Sequence, residues 1–366
     1  MTEEKDFIQA IRQNPNDDQL RLVYADWLEQ NGDAERSEFI RIKTLLDKAE
    51  ADGNELLHRG KLVARGQELL KRNKERWEQP LREIGAIAST YSMGLPDTVF
   101  MSSADFVAHG ARLFELAPVN TLVCRCDTDE ARLLAESPNL RNLTSLILPA
   151  GGIGSDGARA LAESPHLQNL KKLELFDDLI GSDGARAIAE SSSLRNLTSL
   201  DLSGAGIGTD GARALAESPN VRNLTKLDLF DNLIGPDGIQ AVAESPHLQN
   251  LQELVLDSNG IGLDGARALA KSPHLRNLTF LSLGGSGIDT EGAQALARSA
   301  NLRNLTTLEL PYNGITPDGA RALVEFPNLL NLRKLTLEGN EIGNAMQHEI
   351  ERTIKARNQQ FDSRGM

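Results

Sequence analysis

The chain has 366 residues, of which 40% are hydrophobic and 25% charged, but only 4% are aromatic. So few rings argue against one large globular core and for a core of many repeated aliphatic units. The formal net charge of −13 argues against nucleic acid as a partner, because holding phosphates needs a basic face.

Other classes fall away on local grounds. No run of eighteen apolar residues exists, so no membrane-spanning helix is expected. The start, Met1-Thr2-Glu3-Glu4-Lys5-Asp6, is acidic and leads into an amphipathic stretch, unlike a secretory signal. Cys124 and Cys126 are the only cysteines, too few for a disulfide framework. These features together predict a cytoplasmic protein.

In chain order, residues 1–48 read as a small all-α module. Phe7, Ile8 and Ile11 mark a first helix that ends near Asn14-Pro15. Leu20 to Leu28 marks a second, ended at Asn31-Gly32, and Phe39, Ile40, Ile42 and Leu45 mark a third. Residues 49–92 are expected to be a helical connector. Residues 93–142 read as degenerate capping repeats: Thr98–Met101 with Ala104–Leu116, then Val119–Cys124 with Thr128–Ser137. Residues 343–366 read as a polar capping helix over Asn344–Ala356 followed by a loose tail.

Between them, residues 143–342 repeat. Leu143, Leu170, Leu197, Leu224, Leu251, Leu278, Leu305 and Leu332 head copies of 27 residues each. The shared pattern is L-x-x-L-x-L-x-x-x-x-I-G-x-D-G-A-x-A-L-A-x-S-P-x-L-x-N. Its first six places alternate as a half-buried strand does, so Leu170, Leu173 and Leu175 point inward and Lys172 and Glu174 outward. The invariant glycine of the fifteenth place (Gly157, Gly184, Gly211 and onward) is read as opening a helix with a small apolar face such as Ala158, Leu161 and Ala162. Pro236 and Pro317 fit its first turn, and the acidic residue beside them favours the helix dipole. Ser-Pro closes the helix, and the terminal asparagines, Asn142 through Asn331, are expected to tie the turn.

One copy cannot fold alone. About seven apolar side chains at roughly 2 kcal/mol each face at least ~1 kcal/mol per residue of backbone ordering. Stacking shares the apolar faces and closes the gap.

On this template the copies resemble leucine-rich repeats of the ribonuclease-inhibitor type. The resemblance implies an α/β fold, a right-handed solenoid with parallel strands on the concave side and helices on the convex side. It also implies an asparagine after each strand. Asn232, Asn259, Asn313 and Asn340 keep it, whereas Gly151, Asp178, Ala205 and Ser286 replace it, so the asparagine ladder is expected to break in the first half. Near the N-terminus the string RLVYADWLEQNGDAERSEFIRIK resembles the small repeat-companion domain of planctomycete-type bacterial proteins, which implies an architecture and no activity.

The outward places of the strands define the candidate binding face. Glu174, Asp201 and Asp228 stand at the fifth place of adjacent strands, joined by Asp177, Asp231 and Asp257 in the loops that follow. Lys172 and Lys226 flank them, and Phe176, Phe230, Phe280 and Tyr312 supply exposed rings. Aromatic side chains beside charge are typical interface anchors, so the expected partner is a protein with a basic surface, bound by a monomer. The competing reading is a solvated acidic face that Lys172 and Lys226 neutralise.

Catalytic and metal chemistry find little support. The carboxylates are not clustered in one oxygen-rich loop as a calcium site requires. Cys124-Arg-Cys126 lacks the spacing and the second pair of a zinc site. His166, His247 and His274 share one place of the repeat. The basic stretch Arg59–Arg76 reads as a solvated helix face, and the Asn-Leu-Thr strings are repeat residues. No phosphate loop or nucleophile motif appears, so neither catalysis nor a cofactor is expected. The function expected is a protein-interaction scaffold; a regulator of a partner enzyme, such as a GTPase activator or an inhibitor, and a structural spacer are the alternatives.

Overall fold

The computed structural model describes residues 3–54 and 56–364, side chains from 360 onward excepted. The chain divides into two compact units, residues 1–125 with 136–147, and residues 126–135 with 148–366.

The first unit begins with α1 (Glu4–Gln13), α2 (Asp18–Gln30), α3 (Ala34–Ala51) and α4 (Arg59–Arg82). Asp17 caps α2 by accepting from the backbone N–H groups of Gln19 and Leu20, and Asp33 caps α3 from Arg36. Ile8, Ile11, Tyr24, Ala25, Leu28 and Ile40 form one core. The fully buried Tyr24 donates its hydroxyl to Glu4 Oε1 at 2.6 Å, which satisfies the one polar atom carried into that core.

The expected all-helical connector ends early. After Pro80 the helix stops at Arg82, and residues 87–92, alternating and rich in β-favouring types, form a strand. That strand, β1 (Ile87–Ser92), pairs antiparallel with β2 (Leu95–Phe100) across Met93-Gly94. Both turn residues have positive φ, 48° and 86°, as a two-residue hairpin requires. A Cβ on Gly94 would meet Ile40 Cα at 2.7 Å. The sheet is therefore not wholly parallel: an antiparallel edge strand precedes it. After β2 come α5 (Ser103–Leu116), β3 (Thr121–Val123) and β4 (Ser145–Ile147), with β2, β3 and β4 parallel.

The second unit is the regular array, an α/β right-handed solenoid. It holds α6 (Thr128–Glu136, whose last residue belongs to the first unit) and α7 (Gly154–Glu163). Then strand and helix alternate: β5 (Lys172–Glu174), α8 (Gly181–Glu190), β6 (Ser199–Asp201), α9 (Gly208–Glu217), β7 (Lys226–Asp228), α10 (Gly235–Glu244), β8 (Glu253–Val255) and α11 (Gly262–Lys271). The run closes with β9 (Phe280–Ser282), α12 (Thr290–Ala297), β10 (Thr307–Glu309), α13 (Pro317–Glu325), β11 (Lys334–Thr336) and α14 (Gly343–Arg364). Strands β5 to β11 are parallel, in sequence order, and in register at intervals of one repeat, as with Leu173, Leu200 and Leu227. The final helix runs on to Arg364, past the point where a loose tail was expected. Among the described residues no helix is long and apolar enough to cross a membrane.

The glycine of the fifteenth place lies inside the first helical turn instead of opening the helix; α7 to α11 start at the glycine three residues before it, α12 and α13 at Thr290 and Pro317. A Cβ there would stand 2.3–2.9 Å from the isoleucine of the same repeat, from Ile153 to Ile315. Close packing of helix on strand loop, and no turn, fixes it.

Three ladders of side-chain hydrogen bonds run between neighbouring repeats. Asn196, Asn223, Asn250, Asn277, Asn304 and Asn331 each donate to a carbonyl 28 residues back, so they join copies and do not tie their own turn. The buried serines that end the helices, such as Ser218 and Ser245, donate to a carbonyl 29 residues back. Asn232, Asn259, Asn313 and Asn340 donate 30 residues back, for example Asn259 to Leu229 O at 2.7 Å. In this last ladder Ser286 keeps the donor function, bonding Leu256 O at 2.9 Å. Asp178 keeps only the acceptor half and Gly151 and Ala205 keep neither, so the ladder loses its donors in the first three copies, as expected, and Ser286 preserves it in the second half.

Candidate functional site

The strands of the array are three residues long, and their central leucine points into the core. Leu173, Leu200, Leu227, Leu254, Leu281 and Leu308 are all fully buried. Pleating then turns the residues on either side outward. This places Lys172, Glu174, Asp201, Lys226 and Asp228 on one surface, with Glu174 beside Asp201 and Asp201 beside Asp228 in the register. Phe280 is outward on β9 but half-buried.

The two lysines neutralise part of the face but form no ion pair with the aspartates. Lys172 pairs with Glu174 at 2.7 Å and Lys226 with Glu253 at 3.3 Å. Asp201 accepts the N–H and hydroxyl of Ser203 at 2.9 and 2.7 Å. Asp228 accepts the N–H of Phe230 at 3.1 Å, and Asp257 accepts Ser282 Oγ and Gly284 N, both at 2.8 Å. The second oxygen of Asp257 is buried and has no hydrogen-bond partner. Among the described residues, no ion pair reaches Asp177, Asp201, Asp228, Asp231 or Asp257.

Burial raises the pKa of one of these acids. Partial burial, with the charges of Asp201 and Asp257 nearby, pushes the Asp228 carboxyl up to about 6, against the pull of Phe230 N–H and Lys226.

The aromatic expectations divide. Phe230 is 44% exposed and Tyr312 65% exposed, whereas Phe176 is half-buried. Tyr312 follows the strand in a left-handed conformation, φ 56°, and its ring covers Gly339, where a Cβ would meet Cδ1 at 2.2 Å. Asp177 and Asp231 hold the same left-handed place two repeats apart, at φ 58° and 51°, and both are exposed.

Two further exposed residues lie in the loops between strand and helix, and the sequence did not single them out. Leu179 and Leu233 are 75% and 79% exposed, with φ of 48° and 55°. Their place, the tenth of the repeat, is glycine in the copies with Gly152, Gly206, Gly260, Gly287 and Gly314, all at positive φ. A side chain with a Cβ in this region costs about 1–2 kcal/mol. The signal was present in the template: a leucine stands where the other copies need glycine.

The remaining candidates lie in the core. Cys124 and Cys126 are both buried. Among the described residues no three His, Cys, Asp or Glu side chains are arranged to hold a metal. The grooves between helices on the opposite side are lined by repeat residues such as Arg213, Asp237, Gln240 and Glu244.

Compared with known families, residues 193–216, 222–243, 247–270, 274–297 and 301–324 match the leucine-rich repeat model. Within the array, residues 193–324 thus match as leucine-rich repeats. Searching the curated proteins gives no match. Among solved structures, an internalin from Listeria monocytogenes is similar at 20% identity and a TM-score of 0.39. That likeness spans 65% of each chain, so the present chain covers just under two thirds of the internalin. A protein of Bacteroides fragilis is similar at 14% identity and a TM-score of 0.46, over 82% of this chain and 83% of that one. The yeast complex of Rad7 and Elc1 contains a chain similar at 14% identity and a TM-score of 0.46, over 90% of this chain and 88% of that one.

Proposed function

We propose that this leucine-rich-repeat protein is a non-catalytic interaction scaffold that binds a protein partner on the strand face of its array. The observation that carries the reading is the arrangement of charge. Five aspartates stand without ion pairs around the exposed ring of Phe230, while Lys172 and Lys226 of the same face are spent on Glu174 and Glu253. Ion pairing within the face would leave a merely solvated surface; unpaired acids beside apolar side chains favour a basic partner and rapid, salt-sensitive association.

The candidate contact residues are Lys172, Glu174, Phe176, Asp177, Asp201, Lys226, Asp228, Phe230, Asp231, Asp257, Phe280 and Tyr312. Residues 1–48 serve in this reading as a helical region of the repeat-companion kind within the first unit, its core of Tyr24 and Ile40 shared with Leu95 of β2. Capture of a partner from the native organism, followed by binding to variants of each face, tests the proposal. Loss of binding on charge reversal at Asp201 and Asp228, with none on changes at Arg213 and Gln240, supports it; the opposite pattern refutes it.

A further inference from the structure

The second and fourth copies of the array carry nearly one sequence after the strand, Phe176-Asp177-Asp178-Leu179 and Phe230-Asp231-Asn232-Leu233. The copy between them carries Ser203-Gly204-Ala205-Gly206, the smallest residues available. Neighbouring strands lie about 4.8 Å apart, so two walls about 10 Å apart flank a low floor. A Cβ on Gly206 would meet nothing within 4 Å, so the floor is open there. Over Gly204 the floor is covered by one group, the carboxylate of Asp177, whose Oδ1 would lie 2.1 Å from an added Cβ. Each wall bears an acid and an exposed leucine held in a backbone conformation that glycine serves elsewhere.

Neither leucine contributes to the core, and neither follows local backbone preference. Large apolar side chains kept in water at a conformational cost mark a surface that something covers. The acids of these copies, Asp177, Asp201, Asp228 and Asp231, pair with no cation among the described residues. A second copy of this chain would bring a basic stretch most of whose cations are spent: Arg59, Arg65, Arg72, Lys74 and Arg76 are already paired with Glu50, Glu38, Glu35, Glu78 and Asp33, which leaves Lys61 and Lys71. A lipid headgroup or nucleic acid would meet carboxylates.

Resting on the strand-face reading, we infer that this slot anchors a cationic and apolar segment of a protein partner. A lysine or arginine of that segment enters between Asp177 and Asp231, and apolar neighbours on either side of it cover Leu179 and Leu233.

The full chain, immobilised, is used to select from a random peptide library, and one enriched peptide is synthesised and titrated. Enriched sequences carry a lysine or arginine with aromatic or aliphatic residues within two positions. The variant Leu179→Gly with Leu233→Gly binds that peptide at least ~10-fold more weakly, with a melting temperature no lower than that of the parent. Absence of enrichment, enrichment without cations, or a lower melting temperature in that variant overturns the inference. If the leucine variant binds normally while Asp201→Asn with Asp228→Asn binds weakly, the slot is refuted and the strand face survives. If neither matters, both fail.

Discussion

The carboxylate of Asp178 reaches back one repeat and accepts the N–H of Gly151 at 2.7 Å and of Gly152 at 2.9 Å through a single oxygen, Oδ1. Its other oxygen is buried and has no hydrogen-bond partner. At the equivalent place Asn232 turns an amide NH2 toward the carbonyl of Leu202, 30 residues back. Asp178 thus occupies an asparagine position with the wrong donor capacity, and desolvation raises its pKa in spite of the backbone N–H groups around it.

Asp178→Asn should therefore stabilise the protein. The orphaned oxygen becomes a donor, for which about 1–3 kcal/mol is expected. Because the folded pKa lies above the unfolded 3.8, the native protein gains stability on acidification and loses it as pH rises through the folded value. The advantage of the variant is then largest at neutral pH and fades as pH falls below about 4. Chemical denaturation at pH 7 and pH 3.5 decides it; a variant less stable at both would refute the assignment.

The same logic applies to Asp228, with a different consequence. Its pKa near 6 means that the charge opposes folding at pH 7 and no longer does so at pH 4. Asp228→Asn is expected to raise the melting temperature at pH 7 and leave it unchanged at pH 4. A cationic partner favours the ionised form, so its affinity should fall as pH drops through 6. Binding that is flat between pH 7 and pH 5 would separate Asp228 from the interface.

Deletion of residues 224–250 should leave a folded, shorter solenoid. The bonds between copies span 24 to 31 residues, about one repeat, and each partner has an equivalent one repeat away, so Asn259 would find Leu202 O in place of Leu229 O. Removing half a repeat leaves strand and helix faces unmatched. Thermal melts followed by circular dichroism should show cooperative unfolding only in the first variant.

Cys124 and Cys126, both buried, should react slowly with a thiol reagent in the native state. Rapid modification of either without unfolding would contradict the packing described here.

Much of the array could be read from the sequence because its causes are local and repeated eightfold in one chain. Leu173 and Leu200 declare an inward strand place by alternation, and Pro317 and Asp318 declare a first helical turn. What the sequence did not disclose depends on partners 27 or more residues away. The roles of Asn223 and Ser245 appear only when the carbonyls of the preceding repeat are in place. Helix continuity across 83–92 was misread because the stretch after Pro80 was taken with the charged helix before it. Leu179 and Leu233 were passed over because they look like core leucines until the left-handed backbone of their place is known.

The central claim is that the strand face binds the partner. The most direct measurement is the affinity of a captured partner for Phe176→Ala with Phe230→Ala, set against Arg213→Ala with Gln240→Ala on the helical side. The account predicts a loss of about 2 kcal/mol or more for the phenylalanine pair, no loss for the helical pair, and unchanged melting temperatures for both. Normal binding by the phenylalanine variant together with abolished binding by the helical one would contradict it.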